Sequence, residues 1–182
     1  MKCQFDEETI EKAIEFHGHS CPGLAIGIRA AEYALREMEN TAKEDLLCVT
    51  ETDMCGVDGI QLLTGCTFGK GNLIHQDYGK AAFSFYDRKS GNAFRLLLRP
   101  EAKQGKSGEK PDREELQHLL MTKSLEEVFE RIPLSGKPPR KARVLESLQC
   151  EECGEDTMES RTRRFAGKTL CIPCFANVEQ KV

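Results

Sequence analysis

Cys150-x2-Cys153 and Cys171-x2-Cys174, separated by seventeen residues, constrain the carboxy-terminal part of this 182-residue chain more than any other feature does. Two thiols on one tight turn, met by two more on another, supply the four soft ligands that tetrahedral zinc takes. A segment of about thirty residues cannot bury enough apolar surface to fold alone, whereas a structural zinc contributes roughly 10–16 kcal/mol at neutral pH. Cys150, Cys153, Cys171 and Cys174 are therefore read as the ligands of a structural zinc.

Between the knuckles, Arg161-Thr162-Arg163-Arg164-Phe165-Ala166-Gly167-Lys168 predicts a hairpin turning at Gly167, and Phe175 to Val182 predicts a closing helix. This order of knuckle, hairpin, knuckle and helix resembles a treble-clef or zinc-ribbon finger. Its arginines and Lys168, with Lys137, Arg140, Lys141 and Arg143 just upstream, form the concentrated positive stretch of the chain, and Phe165 offers a ring on which a base could stack. Against this, Glu151, Glu152, Glu155, Asp156 and Glu159 crowd the first knuckle, and zinc with four thiolates carries −2. Those charges largely cancel, so docking on a protein is favoured over binding to nucleic acid.

The whole chain carries 30 acidic against 26 basic residues, a net charge of −4, which gives no general electrostatic reason to bind nucleic acid. Acidic residues follow Met1 where a signal peptide needs an apolar run, and no stretch reaches membrane-spanning length, so a cytoplasmic protein without membrane contact is expected. In such a reducing compartment, nine cysteines read as metal ligands or reactive groups before they read as disulfides.

Hydrophobic periodicity places the remaining elements. A first helix starts at a capping Asp6, carries Ile10, Ala13 and Ile14 on one face and ends at Gly18. Leu24, Ile28, Ala31 and Leu35 define a long amphipathic helix from Pro22 to Glu39, with Arg29, Glu32, Arg36, Glu37 and Glu39 on its outer surface. A strand from Leu46 to Thr52 leads into a loop, and Asp58 reads as the N-cap of a short helix closing at Gly65. Leu73 to His75 reads as a strand, Ala81 to Tyr86 and Ala93 to Leu98 as a hairpin. Lys103 to Asp112 is expected as an exposed loop, followed by short helices at Arg113 to Met121 and Ser124 to Arg131, the second with a capping box of Ser124 and Glu127. The expectation is an α+β core over residues 1–132 with an antiparallel-rich sheet, a Pro-rich basic linker over 133–147 and the small zinc domain over 148–182.

The chemistry of the core gathers at His17-Gly18-His19-Ser20-Cys21-Pro22-Gly23. Extended backbone points alternate residues to one side, so two imidazoles and a thiol can converge there. Pro22 suits the first helical position, which puts Cys21 at the N-cap, where the helix dipole favours a thiolate. Cys48, within a strand, and Cys3 read as ordinary packing, whereas Cys21, Cys55 and Cys66 lie in loops with His17, His19, Asp53, Asp58 and His75. Imidazole and thiolate together suit zinc or another transition metal. Spacing alone leaves a metal centre, a reactive thiol and plain packing open.

Three blocks in order, His17-Gly18-His19-Ser20-Cys21-Pro22-Gly23, Asp53-Met54-Cys55-Gly56-Val57-Asp58-Gly59 and Gly65-Cys66-Thr67-Phe68-Gly69-Lys70-Gly71-Asn72-Leu73, resemble the signature of the formylmethanofuran dehydrogenase FmdE family over about residues 6–130. The resemblance implies an α+β core, in some members with an appended zinc finger, an intertwined homodimer, and association with a molybdenum or tungsten enzyme. It also points to a second transition metal, zinc among the candidates, held by His17, His19 and Cys21, with Cys55 as the next ligand and Cys66 and His75 nearby. The function expected is that of a metal-binding accessory or regulatory protein. One alternative is a metallo- or thiol-dependent enzyme using Cys21 as nucleophile or ligand and His19 or Asp53 as proton carrier; another is a transcriptional or RNA-binding regulator acting through the finger.

Overall fold

A computed structural model describes residues 3–105 and 110–179 of the chain. It divides into two compact units, the first ending at Lys141 and the second beginning at Ala142. In the first unit α1 (Glu7–His17) and α2 (Pro22–Glu37) precede β1 (Leu46–Thr50), α3 (Gly56–Thr64), β2 (Leu73–His75), the hairpin β3 (Ala82–Asp87) and β4 (Ala93–Leu98), then α4 (Arg113–Thr122), α5 (Leu125–Val128) and β5 (Phe129–Pro133). The five strands form one sheet in the order β2-β1-β3-β4-β5, in which only β1 and β2 run parallel. The α+β class with an antiparallel-rich sheet is thus what the chain adopts.

Helix α2 is the centre of this unit, because both of its faces are covered. Ala25, Ile26, Ala30, Tyr33 and Ala34 join Leu46, Cys48, Phe83, Phe85, Phe94 and Phe129 of the sheet in one core. Cys21, Leu24 and Ile28 turn the other way, towards Ala13 and the half-buried Ile10 and Ile14 of α1. The expected outer surface of α2 is therefore wrong at Arg29 and Glu32, which are 1% and 5% exposed. They are buried as a pair, Arg29 Nη1 to Glu32 Oε2 at 2.7 Å. Arg29 Nη2 also donates to the Lys123 carbonyl at 2.7 Å, and Glu32 accepts from the Gln4 backbone at 3.2 Å. The carboxylate and both terminal guanidinium nitrogens thus meet partners, which offsets much of the cost of burial, while Arg29 Nε is buried without one.

Four glycines set how α2 meets α3. A Cβ on Gly27 would fall 1.9 Å from the Gly56 carbonyl oxygen, one on Gly59 3.1 Å from the Ile28 nitrogen, and one on Gly23 3.1 Å from Cys55 Cβ. Only glycine lets the two backbones lie this close, and the approach brings the amino end of α3 against the first turns of α2.

Two other expectations change. The helix read from Ser124 to Arg131 stops at Val128, and residues 129–133 form the fifth strand instead. Phe129 is buried and Arg131 lies over the Phe94 ring at 4.8 Å, so tertiary packing overrides a local helical pattern. Pro133 fits because β5 is an edge strand. Cys55, not Asp58, is the N-cap of α3, since the Asp58 carboxylate is engaged elsewhere. The part of the expected 103–112 loop at 106–109 lies outside the described residues.

In the second unit β6 (Ser147–Gln149) pairs with β7 (Asp156–Met158), β8 (Thr162–Phe165) pairs with β9 (Lys168–Cys171), and α6 (Ile172–Val178) follows. The closing helix begins three residues earlier than expected, because Pro173 suits its first turn and Cys171 serves as N-cap. Residues 180–182 of that expected helix lie outside the described ones.

Candidate metal centres

Helix α1 ends at Gly18, whose φ of 90° is the left-handed conformation that releases the chain from the helix. The backbone then runs extended into Cys21 at φ −159° and ψ 161°, the N-cap of α2, where the sulfur accepts the Leu24 N–H at 3.3 Å. Gln117 of α4 braces the intervening loop by donating to Ser20 Oγ at 2.7 Å. Cys55 arrives from the head of α3, through the glycine crossing described above.

One donor atom from each of His17, His19, Cys21 and Cys55 lies within 4.8 Å of every other. Tetrahedral zinc with Zn–N of about 2.0 Å and Zn–S of about 2.3 Å separates its donors by roughly 3.3–3.8 Å. The 3.9 Å between Cys21 Sγ and His17 Nε2 is close to that spacing. The imidazoles of His17 and His19 lie with ring centres 4.5 Å apart. Cys21 is buried, Cys55 and His17 are half-buried and His19 is exposed. Burial pushes the Cys55 thiol up, and the adjacent Cys21 adds to that; two thiols packed together are resolved when a cation neutralises them. Two imidazoles and two thiols are a donor set that fits zinc, and a metal held there would supply Lewis acidity or a rigid anchor for the loop.

Asp58 completes the centre in a way that spacing did not signal. Its Oδ2 lies 2.7 Å from His17 Nδ1, leaving Nε2 to face the cluster, while Gln61 Nε2 donates to its Oδ1 at 3.4 Å. Asp58 follows Cys55 by three residues and Gln61 follows Asp58 by three, so each successive pair is adjacent on the surface of α3. A carboxylate behind a metal-bound imidazole fixes its tautomer and raises its basicity. Asp58→Ala is expected to weaken metal binding at the core about 10–100-fold, read by competition with a chromophoric chelator. Unchanged affinity would remove Asp58 from the support of the centre.

The other candidates fall elsewhere. Cys66 is buried in the main core with its thiol near the Leu46 carbonyl at 3.6 Å, and burial raises its pKa; it stands apart from the donor cluster. Cys48 is likewise buried and its thiol is pushed well up by burial. Asp53 and His75 are exposed and line a cavity beside the cluster rather than joining it.

Sulfurs of Cys150, Cys153, Cys171 and Cys174 also lie within 4.8 Å of one another. The first knuckle turns at Gly154, φ 76°, whose N–H donates to the Cys150 carbonyl at 2.8 Å; the second is the N-cap and first turn of α6. Backbone N–H groups of Cys153, Cys171 and Glu152 lower Cys150 to about 6, whereas the neighbouring thiols, Cys171 first, push Cys174 up to about 12. Such mutual frustration is relieved by binding a cation. Leu170 is the buried aliphatic side chain of this cluster, with Phe175 half-buried beside it and edge-on to Phe165 at 5.7 Å. Of the four basic residues between the knuckles, Lys168 pairs with Glu152 at 3.0 Å and Arg164 with Glu151 at 3.9 Å, so two of the four face the acidic first knuckle.

Among the described residues no helix is long and apolar enough to cross a membrane. The family described as "Prokaryotic dksA/traR C4-type zinc finger" matches residues 144–180. Together with the four-cysteine cluster this identifies the second unit as a zinc-finger domain suited to a structural zinc. A curated relative from Archaeoglobus fulgidus, named as a probable S-adenosyl-L-methionine-binding protein, is 30% identical over 90% of this chain; the chain spans about half (51%) of that protein's length. Among solved structures, a tungsten formylmethanofuran dehydrogenase FmdE-like protein from Syntrophus aciditrophicus superimposes with a TM-score of 0.70 at 28% identity, over 94% of this chain and 92% of that one. The family described as "FmdE, Molybdenum formylmethanofuran dehydrogenase operon" matches residues 16–135, well over half of the chain, and the chain belongs to it.

Proposed function

We propose that this protein is a cytoplasmic, homodimeric metal-binding accessory or regulatory factor, with a transition metal, zinc foremost, at His17, His19, Cys21 and Cys55 and a docking finger built on structural zinc. The observation that carries this reading is the convergence of those four donors at the crossing of α2 and α3. Two dense thiol clusters suit a reducing compartment. The family's link to molybdenum and tungsten enzymes makes such an enzyme the partner proposed for the finger. The pairing of Arg164 and Lys168 with the acidic first knuckle lowers the positive charge the finger offers to phosphates and favours a protein surface over nucleic acid.

An enzymatic reading rests on the cavity beside the centre, into which Asp53 opens. Cys21 is 3% exposed and its sulfur is already tied to a backbone N–H, which suits a ligand better than a free nucleophile. The proton carriers available to a bound molecule are then Asp53 and His75 at the cavity wall rather than His19.

Loading the full chain with zinc or cobalt under gentle conditions is expected to give two metal equivalents per chain. Cys55→Ser combined with His17→Ala is expected to leave one. Failure to take up a second metal would remove the core centre from the account while leaving the finger standing.

A further inference from the structure

The cavity beside the core cluster has a volume of about 360 Å³, within the usual range for small-molecule sites. Its polar lining divides into groups already spent and groups still available. Asp58 is held by His17 and Gln61, and Gln61 Oε1 accepts the Phe68 N–H at 3.2 Å. The Thr50 hydroxyl donates to the Thr52 carbonyl at 2.6 Å. Among the described residues Asp53 and His75 have no side-chain hydrogen bond, and both are exposed at the cavity wall.

The sign of the charge follows from the same inventory. No lysine or arginine is among the residues lining the cavity, whereas Asp53 and Asp58 both are. Asp58 faces His17, so the unpaired Asp53 carboxylate is the charge that the wall offers to a bound molecule, and a cation gains by entering while an anion does not. The apolar part of the wall is of the kind that accommodates cations as well: the Phe68 ring is 74% exposed, and Met54 presents a polarisable thioether.

We infer that this cavity binds a small organic cation, its charged head against the Asp53 carboxylate and its apolar body on Met54 and Phe68. The inference rests on the wall at Asp53, Met54 and Phe68, none of which belongs to the donor cluster.

Three isosteric probes test it on the zinc-loaded full chain by calorimetry at physiological ionic strength: benzylamine, benzyl alcohol and benzoate. Benzylamine is expected to bind most tightly and benzoate least. Asp53→Asn is expected to weaken benzylamine about tenfold, the contribution of one charge-assisted contact. Phe68→Ala should weaken benzylamine and benzyl alcohol alike, and neither variant should alter metal content or melting temperature. Glu11→Gln, an exposed change on α1, serves as the charge control and should leave all three titrations unchanged. Benzoate or benzyl alcohol binding as well as benzylamine, no benzylamine binding at millimolar concentration, or an Asp53→Asn variant with wild-type affinity would each overturn the inference. Because metal content is measured on the same samples, loss of the core metal and loss of cation binding are separate results.

Discussion

Gly27→Ala should cripple the first unit and scatter its metal ligands, although it adds a single methyl group. That methyl would sit 1.9 Å from the Gly56 carbonyl oxygen and 2.5 Å from the Gly56 Cα and carbonyl carbon. These are backbone atoms, so no side-chain rotation relieves the clash and the helices must part. Parting them opens the buried contacts of Leu24, Ile28 and Ile60, and overpacking of this kind costs about 3–4 kcal/mol. For a unit of this size that corresponds to a fall in melting temperature of roughly 10–15 °C. Because Cys21 heads α2 and Cys55 heads α3, the same displacement pulls the two thiols apart and should lower core metal occupancy, while the finger keeps its zinc. Calorimetry combined with metal analysis checks both effects. Gly69→Ala is the control, since a Cβ there meets nothing within 4 Å. A Gly27→Ala protein that melts within about 2 °C of the parent and keeps its core metal would show that the crossing does not govern the site.

Replacing Cys171 and Cys174 by serine is expected to unfold the second unit and leave the first intact. Among the described residues of that unit the buried ones are Cys150, Leu170 and Cys171, with Phe175 partly buried against them. A cluster so small, at roughly 1.5–3 kcal/mol for each fully buried large side chain, cannot offset the ordering entropy of its chain, and metal binding at roughly 10–16 kcal/mol is what tips the balance. Limited proteolysis should therefore cut the variant rapidly beyond Ala142 while the preceding unit survives, with one metal equivalent lost. A tail that keeps its protease resistance would contradict a fold organised by zinc.

What sequence could reveal depended on whether the signal was local. The Cys-x2-Cys knuckles are local and their donors meet; His17, His19 and Cys21 meet too, but not by extended alternation, because His17 ends α1 and Gly18 turns left-handed before the chain extends at Cys21. The N-cap at Cys21 followed by Pro22 was legible because it too is local. Cys55 as a ligand follows from family resemblance and not from local pattern, because it joins Cys21 from 34 residues along the chain through the glycine crossing of α2 and α3. Gly23, Gly27, Gly56 and Gly59 were the available signal for that contact, since glycines inside helices weaken them and need a packing reason. Asp58 reads as a helix cap because a carboxylate near a helix start satisfies local rules whether or not an imidazole waits across the fold. The buried Arg29–Glu32 pair failed for a related reason. A charged pair at i, i+3 reads as a solvated helix face, and only the arrival of Gln4 and Lys123 from other segments makes its burial possible. Strand β5 was hidden by a capping box that does start a helix, one that ends after a single turn when Phe129 is drawn into the core.

The core centre is the central claim, and anomalous scattering from a crystal of zinc-loaded full-length protein tests it most directly. Data collected on either side of the zinc absorption edge should show one site bonded to His17, His19, Cys21 and Cys55, with Asp58 behind His17, and a second within the four cysteines of the finger. Zinc in the finger alone, with the four core donors unmetallated in a loaded crystal, would contradict the account.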